Sequence, residues 1–94
     1  MPAPRKVIDA LEARSEATLA DLVALARIPG VSAPGFDESE LVRSADAVAS
    51  LLRDVGLERV EVLHLPGAHP YVVAEHCRAG ADAPTALVYA HHDV

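Results

Sequence analysis

The side chains best suited to chemistry stand at the end of the sequence, in His91-His92-Asp93-Val94. Side chains alternate along an extended segment, so His91 and Asp93 are predicted to project to one side and His92 to the other. A neutral imidazole binds zinc at about 2.0 to 2.1 Å, and a carboxylate two residues on can orient the ring. His91 is therefore a candidate metal ligand with Asp93 as its partner. The alternative is a structural histidine that is held by ordinary hydrogen bonds.

The run before these residues, Thr85 to Ala90, is apolar on both faces and favours β structure. That composition is typical of a central strand that is covered on two sides. In open α/β sheets, ligands bind beyond the carboxyl ends of the strands. The sequence thus predicts that His91 and Asp93 lie where such folds usually build a site.

Two helices are predicted upstream. Apolar residues recur at helical spacing from Val7 to Ile28, with an interruption near Ser15, and the loop that follows runs from Ile28 to Phe36. Asp37 and Glu40 have the spacing of a capping box, so the second helix is predicted to begin at Asp37 and to end at Gly56. Its buried stripe is predicted to be Leu41, Ala45, Val48, Leu52 and Val55.

After the second helix, the spacing of the apolar residues changes from that of a helix to that of a strand. A β-favouring run from Val60 to Leu65 is closed by Pro66-Gly67, and Tyr71 to Ala74 opens another run, which predicts a hairpin. With Thr85 to Ala90 the sheet has three strands. We therefore predict an α/β fold, in which two N-terminal helices are followed by three strands of a mixed sheet.

Composition excludes several classes of protein. The 94 residues carry 8 basic and 14 acidic side chains, a formal charge of −6, and only three aromatic rings, which disfavours nucleic acid as a partner. The single Cys77 excludes a disulfide scaffold and is predicted to be a small buried hydrophobe. No apolar run is long enough for a signal peptide or a membrane span, so we predict a cytoplasmic protein without a membrane partner.

Three segments, in order, resemble the start of the catalytic domain of the di-zinc aminoacylase and carboxypeptidase family. They are Leu25 to Ser32, with its Ile-Pro-Gly-Val-Ser string, His69 to Glu75, and Leu87 to Val94, which ends in His-His-Asp-Val. The family includes carnosinase-like dipeptidases, glutamate carboxypeptidase, acetylornithine deacetylase and succinyl-diaminopimelate desuccinylase. The most specific part of the resemblance is a strand that ends in His-x-Asp-Val.

The resemblance implies a role for each residue of this motif. His91 is expected to bind zinc, Asp93 to be the catalytic residue that orients or tunes His91, and His92 to occupy a variable position. A glycine commonly precedes the ligand histidine in the family, whereas this chain has Ala90. Two zinc ions are expected in the complete site, with cobalt or manganese as alternatives. The other metal ligands and the general base of the family all lie downstream of this motif.

We therefore expect residues 1–94 to be the N-terminal part of a single metallopeptidase catalytic domain. The expected activity of the whole enzyme is zinc-dependent hydrolysis of amide bonds in dipeptides or short peptides, while the 94 residues alone are expected to be inactive. One alternative is an N-acyl amino-acid deacylase or desuccinylase of the same family. Another is a small non-enzymatic α/β module that binds a partner. The family often carries a dimerisation domain, which leaves a homodimeric parent open.

Overall fold

The computed structural model of the chain describes residues 2–94 and combines helices with one small antiparallel sheet. Within these residues the order of elements is α1 (Arg5–Ala13), α2 (Ser15–Ala26), α3 (Glu38–Asp54), β1 (Glu58–Leu63) and β2 (Tyr71–Glu75). None of the described helices is long and apolar enough to cross a membrane. The mixed helix and strand character predicted from the sequence is confirmed.

The predicted interruption of the first helical region is confirmed at Arg14, which separates α1 from α2. No residue of either helix is buried, and Leu11, Leu19 and Leu22 are each at least 60% exposed. The radius of gyration is 15.6 Å, whereas a compact chain of this length would have about 12 Å. The apolar spacing of α1 and α2 thus predicted helices correctly but not a core.

Both ends of α3 follow from local sequence signals. The Asp37 carboxylate accepts a hydrogen bond from the Ser39 N–H at 2.9 Å, which caps the first turn. Glu40 does not complete the capping box, because its carboxylate pairs with Arg43 at 2.9 Å. At the other end Gly56 has a φ of 92°, and the Leu57 N–H reaches the Leu52 carbonyl at 3.0 Å, as in a Schellman motif.

The predicted hairpin is confirmed, since β1 and β2 pair in antiparallel fashion with Val62 opposite Val72. The register shifts by one residue between Glu58 and Glu61, where β1 contains a bulge. Arg59, within this bulge, has a φ of 47°, and its guanidinium pairs with a carboxylate of β2. Alternate residues of β1 turn towards α3, which packs across the hairpin.

The core of the described residues is small and is centred on α3. Its buried apolar side chains are Ile28, Leu41, Ala45 and Ala49, and Ser44 is buried among them. The predicted stripe is correct at Leu41 and Ala45, partly buried at Val48 and Leu52, and wrong at Val55, which is 57% exposed. Val55 is the C-cap residue, one position beyond the end of α3.

The predicted third strand is not confirmed. Residues 85–90, which we call the exposed segment, form no strand and belong to no sheet in the described part of the chain. Leu87, Val88 and Tyr89 are 93%, 88% and 89% exposed. A strand that is apolar on both faces needs neighbours on its edges and cover on both faces, and residues 2–94 supply neither.

Candidate functional site

Directly after the exposed segment, the chain is held in place again. We call residues 91–94 the terminal segment. Each of its four residues makes at least one hydrogen bond, and most of the partners lie in the loop after α2, on α3 or before β2. The candidate residues His91 and Asp93 are therefore positioned by long-range polar contacts and not by a strand.

His91 and Asp93 lie on one side of the terminal segment and contact each other, as the alternation of side chains predicts. His91 Nδ1 is 2.8 Å from Asp93 Oδ1. A carboxylate only accepts hydrogen bonds, so Nδ1 carries the proton of a neutral ring and Nε2 carries the lone pair. The His91 side chain is 78% exposed, which leaves Nε2 open to a ligand.

The second carboxylate oxygen of Asp93 is held by Ser32 in the loop after α2. Ser32 Oγ donates a hydrogen bond to Asp93 Oδ2 at 2.6 Å. The Ser32 hydroxyl and, after it, His91 hold the pKa of the Asp93 carboxyl below its usual range, because both contacts favour the charged form. Asp93 is thus an ionised carboxylate in which each oxygen accepts a hydrogen bond.

His92 points the other way, towards α3 and the hairpin. Its Nε2 is 3.2 Å from the Pro70 carbonyl oxygen, which can only accept, so Nε2 is protonated. The buried Ser44 hydroxyl is 2.9 Å from His92 Nδ1 and 3.0 Å from the His92 carbonyl oxygen. One hydroxyl proton serves one of these acceptors at a time. His92 therefore fastens the terminal segment to both α3 and the residue before β2.

The backbone completes the attachment. The Val94 N–H donates to the Gly30 carbonyl at 2.9 Å. Gly30 is buried against α3 so closely that a Cβ there would lie 3.2 Å from the Glu40 carbonyl oxygen and 3.3 Å from the Cβ of Ser44. A residue without a side chain is therefore what brings this loop near enough to α3 for Val94 to reach it.

A groove of about 650 Å³ lies beside the terminal segment. Its lining includes apolar side chains of α3 and β2, among them Leu41, Val48 and Val72, and the polar side chains of Ser32, His69 and Asp93.

The described residues fit one ligand position of a zinc site and not a whole one. His91 offers an exposed nitrogen and a partner that orients it, as zinc-binding histidines commonly have. No three His, Cys, Asp or Glu side chains of residues 2–94 come together as a metal-binding group. A tetrahedral zinc site needs four ligands, so most of them are not supplied here.

The sequence mispredicted the environment of Cys77 and missed several contacts of the site. Cys77, predicted to be buried, is exposed, and its thiol makes only a 3.9 Å contact with Glu75. His69 is exposed, and its Nε2 donates a hydrogen bond to the Ser32 carbonyl at 3.1 Å. Ser32 and Ser44 were not predicted as site residues, although Ser32 lies in one of the strings that carry the family resemblance.

Comparison of the chain with protein-family models, with curated proteins and with solved structures gives no match. The family resemblance drawn from the three sequence segments thus stays a prediction, and the site must be interpreted from its own geometry.

Proposed function

We propose that this chain supplies the first ligand segment of a zinc-dependent hydrolase that cleaves amide bonds in dipeptides or short peptides. The observation that carries the proposal is the 2.8 Å contact between His91 Nδ1 and Asp93, together with the exposure of the His91 ring. This contact fixes the tautomer that leaves Nε2 free to bind a metal ion.

In this proposal each residue has a limited task. His91 offers the Nε2 lone pair, and Asp93 keeps the ring in the binding orientation. Zinc, when bound, would polarise the amide carbonyl and lower the pKa of a bound water. The remaining ligands, the general base and the substrate pocket are not among the groups that residues 2–94 bring to His91, so these residues alone should bind zinc weakly and hydrolyse nothing.

The test is expression of the complete open reading frame that encodes this chain, followed by assays on dipeptides with and without zinc. We expect zinc-dependent hydrolysis that His91→Ala abolishes and that Asp93→Asn lowers by about 10- to 100-fold. His64→Ala is the matched control, because His64 is an exposed histidine outside the groove. A reading frame that ends at Val94, or an activity that His91→Ala leaves unchanged, would contradict the proposal.

The same assay separates the related alternative. An N-acyl amino-acid deacylase or desuccinylase would use His91 and Asp93 in the same way but would prefer N-acyl amino acids to dipeptides. Comparing kcat/KM on both substrate classes therefore decides which amide is cleaved. We also propose a cytoplasmic location, which the one cysteine, exposed and outside any disulfide, supports.

A second candidate function is a non-enzymatic module that binds a protein partner through the exposed segment. The observation that favours it is the near-complete exposure of Leu87, Val88 and Tyr89, since apolar side chains in such a run are often covered by a partner. Zinc titration and light scattering on the chain distinguish the two candidates. Self-association that is independent of zinc and lost on substitution of these three residues would favour the binding module.

A further inference from the structure

We infer that Ser32 is a positioning residue for the zinc-binding histidine, acting through Asp93. This inference rests on the proposed function, in which His91 Nε2 receives the metal ion. Ser32 lies 61 residues before Asp93 in the chain, yet its Oγ donates to Asp93 Oδ2 at 2.6 Å. It therefore holds the one carboxylate oxygen that His91 does not use.

A carboxylate on a short side chain can rotate, and rotation would remove Oδ1 from His91. With Oδ2 held by Ser32, the opposite oxygen stays directed at His91 Nδ1. The proton then remains on Nδ1 and the lone pair on Nε2. Ser32 thus favours the metal-binding tautomer of a ring that it does not touch.

Ser32 can do this because its own backbone is fixed from two sides. The His69 ring donates from Nε2 to the Ser32 carbonyl at 3.1 Å, which ties the loop to the hairpin connection. Two residues earlier, Gly30 packs against α3 and accepts the Val94 N–H. The loop after α2 and the terminal segment are therefore joined by one backbone and one side-chain hydrogen bond.

The alternative is that the hydroxyl merely satisfies an exposed carboxylate. A second serine and aspartate pair in the same chain serves as a comparison. Ser39 Oγ donates to Asp37 Oδ1 at 2.7 Å, but Asp37 caps α3 and orients no histidine. Loss of the Ser39 hydroxyl therefore removes a similar hydrogen bond without consequence for His91.

The test uses ¹⁵N NMR of the histidine rings at pH 8.5, where an ordinary imidazole is neutral. In the wild-type chain we expect His91 to be predominantly the Nδ1–H tautomer. Ser32→Ala should lower that fraction at least two-fold, whereas Ser32→Thr, which keeps a hydroxyl, and Ser39→Ala should leave it near the wild-type value. Thermal unfolding of each variant shows that the fold is retained.

In the product of the complete reading frame, Ser32→Ala should weaken zinc binding by about 10-fold, with rescue by Ser32→Thr. If the complete protein shows zinc-dependent activity but Ser32→Ala changes neither the His91 tautomer nor the zinc affinity, the inference is overturned and the proposed function stands. If the His91 tautomer depends on Ser32 but the complete protein has no zinc-dependent activity, the positioning role of Ser32 is supported and the proposed function is wrong.

Discussion

The exposed segment and the terminal segment are neighbours in the chain, yet the first is open to solvent and the second is attached to the rest of the molecule. Residues 85–90 are apolar and lie open to solvent, while residues 91–94 are mostly polar and are held to the rest of the molecule. If hydrophobic burial alone decided their positions, the apolar segment would be covered and the polar segment would be exposed. The difference shows that the terminal segment is placed by specific hydrogen bonds to α3 and to the loop after α2.

The two regions also differ in what they have available as partners. The terminal segment meets a buried hydroxyl, two backbone carbonyls and a serine, all at 2.6 to 3.2 Å. The exposed segment meets no strand edge within residues 2–94. Polar groups need one correctly placed partner each, whereas an apolar strand needs a continuous surface.

The strongest destabilisation should follow from a change in the buried side chains beneath the terminal segment. Leu41 is 1% exposed, and a Cβ on Gly30 would lie 3.5 Å from its side chain. Leu41→Ala should destabilise the chain by about 2 to 5 kcal/mol, because it removes buried volume under that loop. In hydrogen exchange, the Val94 amide should lose protection while the amides of the exposed segment, already open, change little. Equal loss in both segments would contradict their distinction.

A smaller effect is expected at the contact with His92. Ser44→Ala removes the hydroxyl that bonds His92 and should cost about 1 to 3 kcal/mol, since a partly buried polar group loses its partner. Denaturant unfolding gives this value. Ser50→Ala is the control, because Ser50 is an exposed serine on the same helix. If both variants unfold alike, the Ser44 contact does not anchor the terminal segment.

The smallest effect is expected in the exposed segment itself. Val88→Thr together with Leu87→Gln should change the free energy of unfolding by no more than about 0.5 kcal/mol, as is usual at surface positions. A buried strand would instead lose several kcal/mol. Strong destabilisation of the monomer would restore the predicted third strand.

Local rules predicted most of the fold. The cap at Asp37, the helix end at Gly56 and the hairpin each depend on residues close in sequence, which is why they were predictable. The contact of His91 with Asp93 follows from the alternation of side chains in the same way.

The features that could not be predicted depend on contacts between residues that lie far apart in the sequence. Ser32 and Ser44 reach the terminal segment across 61 and 48 residues, and no local pattern encodes such a pairing. The exposure of Cys77 and of Leu87 to Tyr89 has a related cause. Apolar composition indicates that a residue can be buried, but burial also requires a surface to cover it.

A zinc titration of the chain, followed by ¹⁵N NMR of its five histidines, shows whether His91 offers Nε2 to zinc. We predict that His91 Nε2 responds at the lowest zinc concentration, and that Asp93→Asn raises the concentration required by about 10-fold. If another histidine, such as the exposed His64, responds first, or if Asp93→Asn changes nothing, His91 is not the zinc ligand that we propose.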